Sequence, residues 1–404
     1  MDLTKLNAEL AKRDLDAVVA VSPENVLYAT GAYIITQKLV RDRIAAAIFP
    51  RNGEPTFLVC GIEETLARAE SWIQDIRTYV EFQENPVRML ADILRAKGCR
   101  GRRVGIEKRY LCAEDFEVLV AADRDTAFVD CREVFEALRP YKEPLEVACL
   151  RKGARATRKA VEAAFLVSKP GDTERQIANR ILRNLFELGA DEMTFMVLGT
   201  GKRSGIVHPI PADIPTEPGH IVRQDVGTLF KGYHADMAWV AAVGKPTPHQ
   251  AAVYRKMMKA HKAVISNMKP GTRFCDLYNQ CKEIYLSEGL RFFLPHIGHG
   301  LGVELHEAPM ITPGNDAPLR ENLVMNVEHI HADPDGSAYQ LEDLVLVTAA
   351  GPEVLATRSR SSSSLLPSIT PFARPPPTRQ DAPSLSERAP RMEPERPPSV
   401  AFPS

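Results

Sequence analysis

The residues of this chain best suited to chemistry are acids that recur in two hairpin-like stretches. The first runs Gln224-Asp225-Val226-Gly227-Thr228-Leu229-Phe230-Lys231-Gly232-Tyr233-His234-Ala235-Asp236, between the apolar runs Ile221-Val222 and Met237-Ala238-Trp239-Val240. A fold back near Phe230-Lys231-Gly232 is expected to set Asp225 opposite Asp236. The second stretch holds Val324-Met325-Asn326-Val327-Glu328, the turn signal Asp333-Pro334-Asp335-Gly336 and Tyr339-Gln340-Leu341-Glu342. A hairpin centred on Asp335 sets Glu328 opposite Glu342. Directly opposed side chains lie about 5 Å apart at Cβ, where like charges destabilise a sheet. Building this twice requires that protons or cations neutralise the carboxylates.

Between the hairpins lies Pro295-His296-Ile297-Gly298-His299-Gly300-Leu301-Gly302-Val303-Glu304-Leu305-His306-Glu307-Ala308-Pro309. Its glycines permit close backbone approach, and its imidazoles are ready metal ligands and proton carriers. Taken singly, each residue reads as a surface hairpin acid or a loop histidine. Four carboxylates with an imidazole suit a pair of divalent cations, whose four positive charges balance four negative ones. Oxygen-rich ligation without thiolate favours Mn, Co, Fe or Zn over a structural zinc site, with Mn the first expectation for the pair.

In order and spacing, Asp225, Asp236, His299, Glu328 and Glu342 resemble the five-ligand set of the creatinase/aminopeptidase P/prolidase metallopeptidases. His208, in Gly205-Ile206-Val207-His208-Pro209, resembles that family's substrate-side histidine, and His306 its second catalytic histidine. The likeness covers roughly residues 1 to 356. It implies a "pita-bread" catalytic domain, α+β and internally duplicated around a curved antiparallel sheet, preceded by an α/β creatinase-like domain. It also implies a homodimer.

Stepping outward, 404 residues suffice for two or three domains. The formal net charge of −1 gives no electrostatic case for a nucleic-acid or membrane partner. Seven cysteines, odd in number and without a Cys-x-x-Cys pair, argue against a disulfide framework and for a reducing compartment. No apolar run approaches the roughly 18 residues a membrane span needs. The expectation is a soluble, cytoplasmic protein.

Residues 1–140 read as an α/β domain. Strands are expected at Ala17 to Val21, Ala45 to Phe49, Thr56 to Val59 and Val104 to Ile106. Helical patterns fall at Leu3 to Ala11, Glu63 to Glu70 and Val87 to Lys97, and Pro23-Glu24-Asn25 reads as a turn. None of the ten histidines precedes residue 208. This domain is therefore expected to shape the pocket or form a subunit contact.

Residues 143–356 form the catalytic unit. A long amphipathic helix from Leu145 to Val167 stops at Lys169-Pro170-Gly171, and Thr173-x-x-Gln176 opens a second helix as a capping box that ends at Leu188-Gly189. One hundred residues later the pattern returns. A helix from His249 to Met268 meets Lys269-Pro270-Gly271, and the next ends at Glu288-Gly289. Each copy precedes a histidine-bearing stretch and a carboxylate hairpin, which reads as an internal duplication. Residues 357–404 change character: eleven of the 31 prolines fall there, so a disordered tail is expected.

The expected reaction is hydrolysis of an amide at the amino end of a short peptide, by attack of a hydroxide bridging two divalent ions. The resemblance makes Glu328 the general base as well as a ligand. It has His306 hydrogen-bond the carbonyl oxygen as charge builds, while His208 and His296 line the leaving-group side. His234, His329 and His331 are expected to support the site or lie exposed. Xaa-Pro peptides are the implied substrates.

Three positions depart from the family pattern. Met237-Ala238 stands where a Thr is usual, His329 where a proline commonly follows the glutamate, and Gln340 where proline-specific enzymes place Arg. They keep open a non-peptidase, creatinase-like reaction on a small nitrogenous or sulfonio metabolite. An inactive peptidase fold serving as a binding module would be expected to have lost ligands.

Overall fold

The computed structural model describes residues 1–356 and 366–369. The N-terminal unit alternates helices α1 (Leu3–Lys12), α2 (Pro23–Thr30), α3 (Ile35–Leu39), α4 (Glu64–Glu70), α5 (Pro86–Ala96), α6 (Ala113–Ala122) and α7 (Arg132–Leu138) with six strands. These are β1 (Ala17–Ala20), β2 (Ala46–Pro50), β3 (Thr56–Cys60), β4 (Asp75–Tyr79), β5 (Arg103–Ile106) and β6 (Ala127–Asp130). They form one mixed sheet in the order β4-β3-β2-β1-β5-β6. All four residues of β1 are buried, as a central strand covered on both faces requires. The expected turn at Pro23 is instead the first turn of α2. Ser22 caps the Asn25 N–H, and proline fits the first helical turn, where its missing N–H has no helical partner to lose.

The C-terminal unit comprises α8 (Pro144–Val167), α9 (Glu174–Glu187), β7 (Glu192–Thr200), β8 (Ile221–Phe230) and β9 (Tyr233–Val243). There follow α10 (Pro248–Ser266), α11 (Phe274–Ser287), β10 (Gly298–Gly300), β11 (Glu307–Met310), β12 (Val324–Ala332), β13 (Ala338–Thr348), β14 (Gly351–Val354) and β15 (Ser368–Ile369). The anticipated single sheet is two hydrogen-bonded sheets, β15-β9-β8-β7 and β11-β10-β12-β13-β14. They meet along β9 and β13. Helices α8 and α9 close one half over Leu150, Val161, Ile181 and Met237, and α10 and α11 close the other over Met257, Tyr285 and Val345.

The repeat is visible at atomic level. Gly171 and Gly271 both adopt φ +91°, and their N–H groups donate to Thr216 and Leu319 carbonyls at 2.8 and 2.9 Å. Isolated bridges follow at matching places, Thr173 with Pro215 and Arg273 with Pro318. The Thr173 capping box forms, whereas Arg273 supplies no side-chain cap.

The tail expectation lies outside the described residues except at 366–369. There a short strand runs parallel to β9, with Ile369 fully buried, and Pro367 and Ile369 carbonyls accept from Ala242 and Gly244. Among the described residues, no helix is long and apolar enough to cross a membrane.

Candidate metal centre

Strand register decides which side chains share the inner face. Lys231 (φ 52°) and Gly232 (φ 75°) make a two-residue turn, with positive φ at both central positions matching the twist of the hairpin. Phe230 therefore pairs with Tyr233, Asp225 with Ala238, and Asp236 with Gly227. The expected direct opposition of Asp225 and Asp236 is off by two residues. They are diagonal neighbours on one face, and the small Ala238 and Gly227 leave room beside them. In the second hairpin the Asp335 turn sets Glu328 directly across from Glu342.

Where β9 meets β13, the four carboxyls come together with His299 from β10. Asp225, Asp236 and Glu342 have oxygens within 4.8 Å of one another, as do ligand atoms of Asp236, His299 and His306. His299 Nε2 lies 3.6 Å from Glu328 Oε1 and 3.9 Å from Asp236 Oδ2. The Nδ1–H of His299 donates to the Gly300 carbonyl at 2.9 Å, which fixes the tautomer and leaves the Nε2 lone pair facing the acids. Asp225 Oδ1, Asp236 Oδ1 and Glu342 Oε2 are buried and, among the described residues, have no hydrogen-bond donor outside the cluster.

Burial and mutual repulsion set the electrostatics. Desolvation raises Asp225. It also raises Asp236 and Glu342 well above ordinary carboxyl values, and neighbouring carboxylates add to this. Glu328 is pushed to about 7 by burial and then by Asp225. Desolvation holds His299 down to about 3 and lowers His296 and His306. Neutral imidazoles among acids that cannot all ionise together are a donor set short of cations. Divalent ions fit it: each orphaned oxygen gains a partner, and the like charges are compensated.

The remaining expected residues line one cavity of about 760 Å³. His208, His296 and His306 share it with Asp225, Asp236, Glu328 and Glu342, beside Phe195, Val207, Ile210, Phe293 and Leu305. The His306 ring stacks on His299 at 3.8 Å between centroids. His306 also borders a second cavity, of about 330 Å³, lined by Glu24, Glu107 and Arg139 of the N-terminal unit.

His329 and His331 do point away from Glu328, but neither is exposed. His329 is buried between Tyr285 Oη (2.5 Å) and His261 (3.0 Å), and His261 continues to Asp343 at 3.0 Å, which pairs with Arg158 at 2.8 Å. His331 is buried beside Tyr339 and Asp333. His234, two residues from Asp236 and thus on the same face, has its backbone N–H bonded to Gly302 O, and burial lowers its imidazole to about 4. It borders a different pocket, with Tyr33 and Val303.

Three contributors escape the sequence reading as partners of the acids, Gln340 standing out there only as a departure from the family pattern. Asn326, two residues before Glu328 on the same face, gives a short hydrogen bond to Glu342 Oε1. Arg223 and Gln340 form a hydrogen-bonded pair beside Asp225. A period of two flags all three as facing the acids, but nothing local in the sequence distinguishes them as partners.

Comparison with known proteins bears on the whole arrangement. Residues 148–349 match metallopeptidase family M24, and residues 3–141 match the creatinase/prolidase N-terminal domain. YkvY of Bacillus subtilis is 30% identical over 81% of this chain and 90% of its own. The Xaa-Pro dipeptidase of Lactobacillus delbrueckii subsp. lactis is 28% identical over 87% and 95% of the two chains. The prolidase of Pyrococcus furiosus superposes with a TM-score of 0.77 at 26% identity, covering 88% of this chain and all of the other (100%).

Proposed function

This chain belongs to metallopeptidase family M24, and from that premise we propose that it is a dinuclear-metal hydrolase that splits off the first residue of short peptides, with Xaa-Pro peptides as the preferred class. Asp225, Asp236, His299, Glu328 and Glu342 would hold two divalent ions, Mn first among them, with Co, Zn or Fe as alternatives. When bound, such ions acidify water and polarise a carbonyl.

The remaining roles fall to protein groups. Glu328 faces the cavity with its Oε1 3.7 Å from His296 Nδ1 and 3.6 Å from His299 Nε2, where it would take the proton of an attacking water. His306 stands at the cavity edge of the cluster, suited to donate a hydrogen bond to an oxygen gaining charge. His208 and His296 line the same cavity, and Phe195, Val207, Ile210 and Phe293 give it an apolar wall that a prolyl ring or aliphatic side chain would fill.

One observation carries the reading: four carboxyls share one cavity, and three of them have buried oxygens that no donor outside the cluster satisfies. The seven unpaired cysteines support a reducing compartment. The test is a panel of Xaa-Pro and non-proline dipeptides after Mn reconstitution, with a chelator control. Chelator-sensitive cleavage that favours Xaa-Pro is expected. Two bound metals with no cleavage of any peptide would turn the search to small amide, amidine or sulfonio metabolites.

A further inference from the structure

The face of β8 that carries Asp225 also carries Arg223, two residues earlier and only 1% exposed. A buried guanidinium is strongly disfavoured unless its donors are satisfied and its charge is compensated. Every hydrogen bond found for this one goes to a neutral oxygen. Nε donates to Ser204 O at 2.6 Å, Nη2 to Val207 O at 2.8 Å and also to Ile206 O, and Nη1 to Gln340 Oε1 at 2.6 Å. Of the described residues lining the large cavity, Arg223 is the one Lys or Arg. Asp225 and Glu342 are the acids whose charge acts on it.

Gln340 completes the connection. Its Oε1 accepts from the guanidinium while its Nε2 donates to Asp225 Oδ2 at 3.0 Å. An amide whose oxygen accepts from a cation is polarised, so its N–H becomes the stronger donor. One Asp225 oxygen is thus held, and the other, Oδ1, is left without a donor outside the cluster.

The same guanidinium grips the carbonyls of the segment that leads into His208. That segment is pinned from its other side as well. Ser204 Oγ accepts the Ala338 N–H at 2.9 Å, and a Cβ on Gly205 would lie 2.1 Å from Gly336 O. One side chain therefore reaches the acid cluster through Gln340 and directly holds the segment that leads into a histidine of the large cavity.

We propose that Arg223, acting through Gln340, is a positioning residue that ties Asp225 to the His208-bearing segment, so that metal occupancy at Asp225 and the placement of His208 are coupled. The proposal rests on the metal-centre reading above, and its test reads metal affinity and backbone protection rather than peptide cleavage.

The variants are Gln340→Met, unbranched and close to the original in volume, and Arg223→Lys, which keeps the charge but cannot span the same acceptors. Mn²⁺ affinity is measured by calorimetry, and amide hydrogen exchange is followed across residues 203–208. Wild type should bind Mn²⁺ with slower exchange of 203–208 in the bound form, as reciprocal coupling requires. Gln340→Met should lose about tenfold in Mn²⁺ affinity, with metal-free exchange of 203–208 unchanged and its response to Mn²⁺ abolished. Arg223→Lys should lose affinity and also exchange faster at 203–208 without metal. Mn²⁺ affinity within twofold of wild type in Gln340→Met, or wild-type exchange indifferent to Mn²⁺, would overturn the coupling alone. A wild-type protein that binds no Mn²⁺ would overturn the metal centre and the coupling with it.

Discussion

Lys142 Nζ lies 2.7 Å from Glu307 Oε2, and both side chains are only 1% exposed. The pair joins the connector leaving the N-terminal unit to the residue immediately after His306. Arg139 reinforces it, donating to Glu304 at 3.0 Å and lying 3.6 Å from Glu307. Burial pushes the Glu307 carboxyl up, but Lys142 and then Arg139 outweigh it, so the group ends below its ordinary value. Removing one partner of a buried pair leaves the other charge uncompensated. Lys142→Met should therefore lower stability by about 3–5 kcal/mol in denaturant unfolding and lower turnover by displacing His306. A midpoint within error of wild type would show that the pair carries no such load.

Asp236→Asn tests the ligand set at its most crowded member. The variant should lose most bound Mn by elemental analysis. Replacing an acid whose ionisation burial and neighbouring carboxylates oppose should also leave the metal-free protein at least as stable as wild type, higher by up to about 1 kcal/mol. Full metal content in the variant would remove Asp236 from the ligands.

Metal affinity should rise with pH. Burial and mutual repulsion raise Asp236, Glu328 and Glu342 in the metal-free fold, so an incoming cation competes with protons for these acids. His299, held down to about 3, is already neutral and adds nothing above that. As pH climbs through about 7, Glu328 gives up its proton unaided and one displacement step disappears. Between pH 6 and 7, apparent Mn²⁺ affinity should grow about tenfold for each proton released on binding. A flat or falling profile would mean that the cluster is already ionised without metal.

His306→Gln separates the histidine's role in turnover from its nearness to the ligands. The variant should still bind two Mn, with kcat down about a hundredfold or more, the usual scale for losing a donor to a developing oxyanion. Loss of metal in this variant would make His306 a ligand instead, as its grouping with Asp236 and His299 would allow.

Much of the centre was legible because hairpins are local. The Asp335 turn and its flanking strands put Glu328 against Glu342 by counting alone, while the first hairpin slipped by two because a Lys-Gly pair can hold the tight turn with Lys231 at positive φ. The helices of the repeat were legible from the Lys-Pro-Gly stops and the Thr173 capping box. What stayed hidden depends on chain segments far apart in sequence. Arg223 meets Gln340 only because β9 and β13 abut, and Lys142 meets Glu307 only because two units close on each other. Likewise His329 looked like a polar residue pointing outward until α10 and α11 brought His261 and Tyr285 over it. Periodicity tells which face a residue occupies, but not what covers that face.

The most direct test of the central claim, a peptidase run by two divalent ions, is turnover of an Xaa-Pro dipeptide as metal-free protein is titrated with Mn²⁺. Activity should rise to a maximum at two ions per chain and be abolished by chelator. Full turnover in metal-free, chelator-treated protein would contradict it.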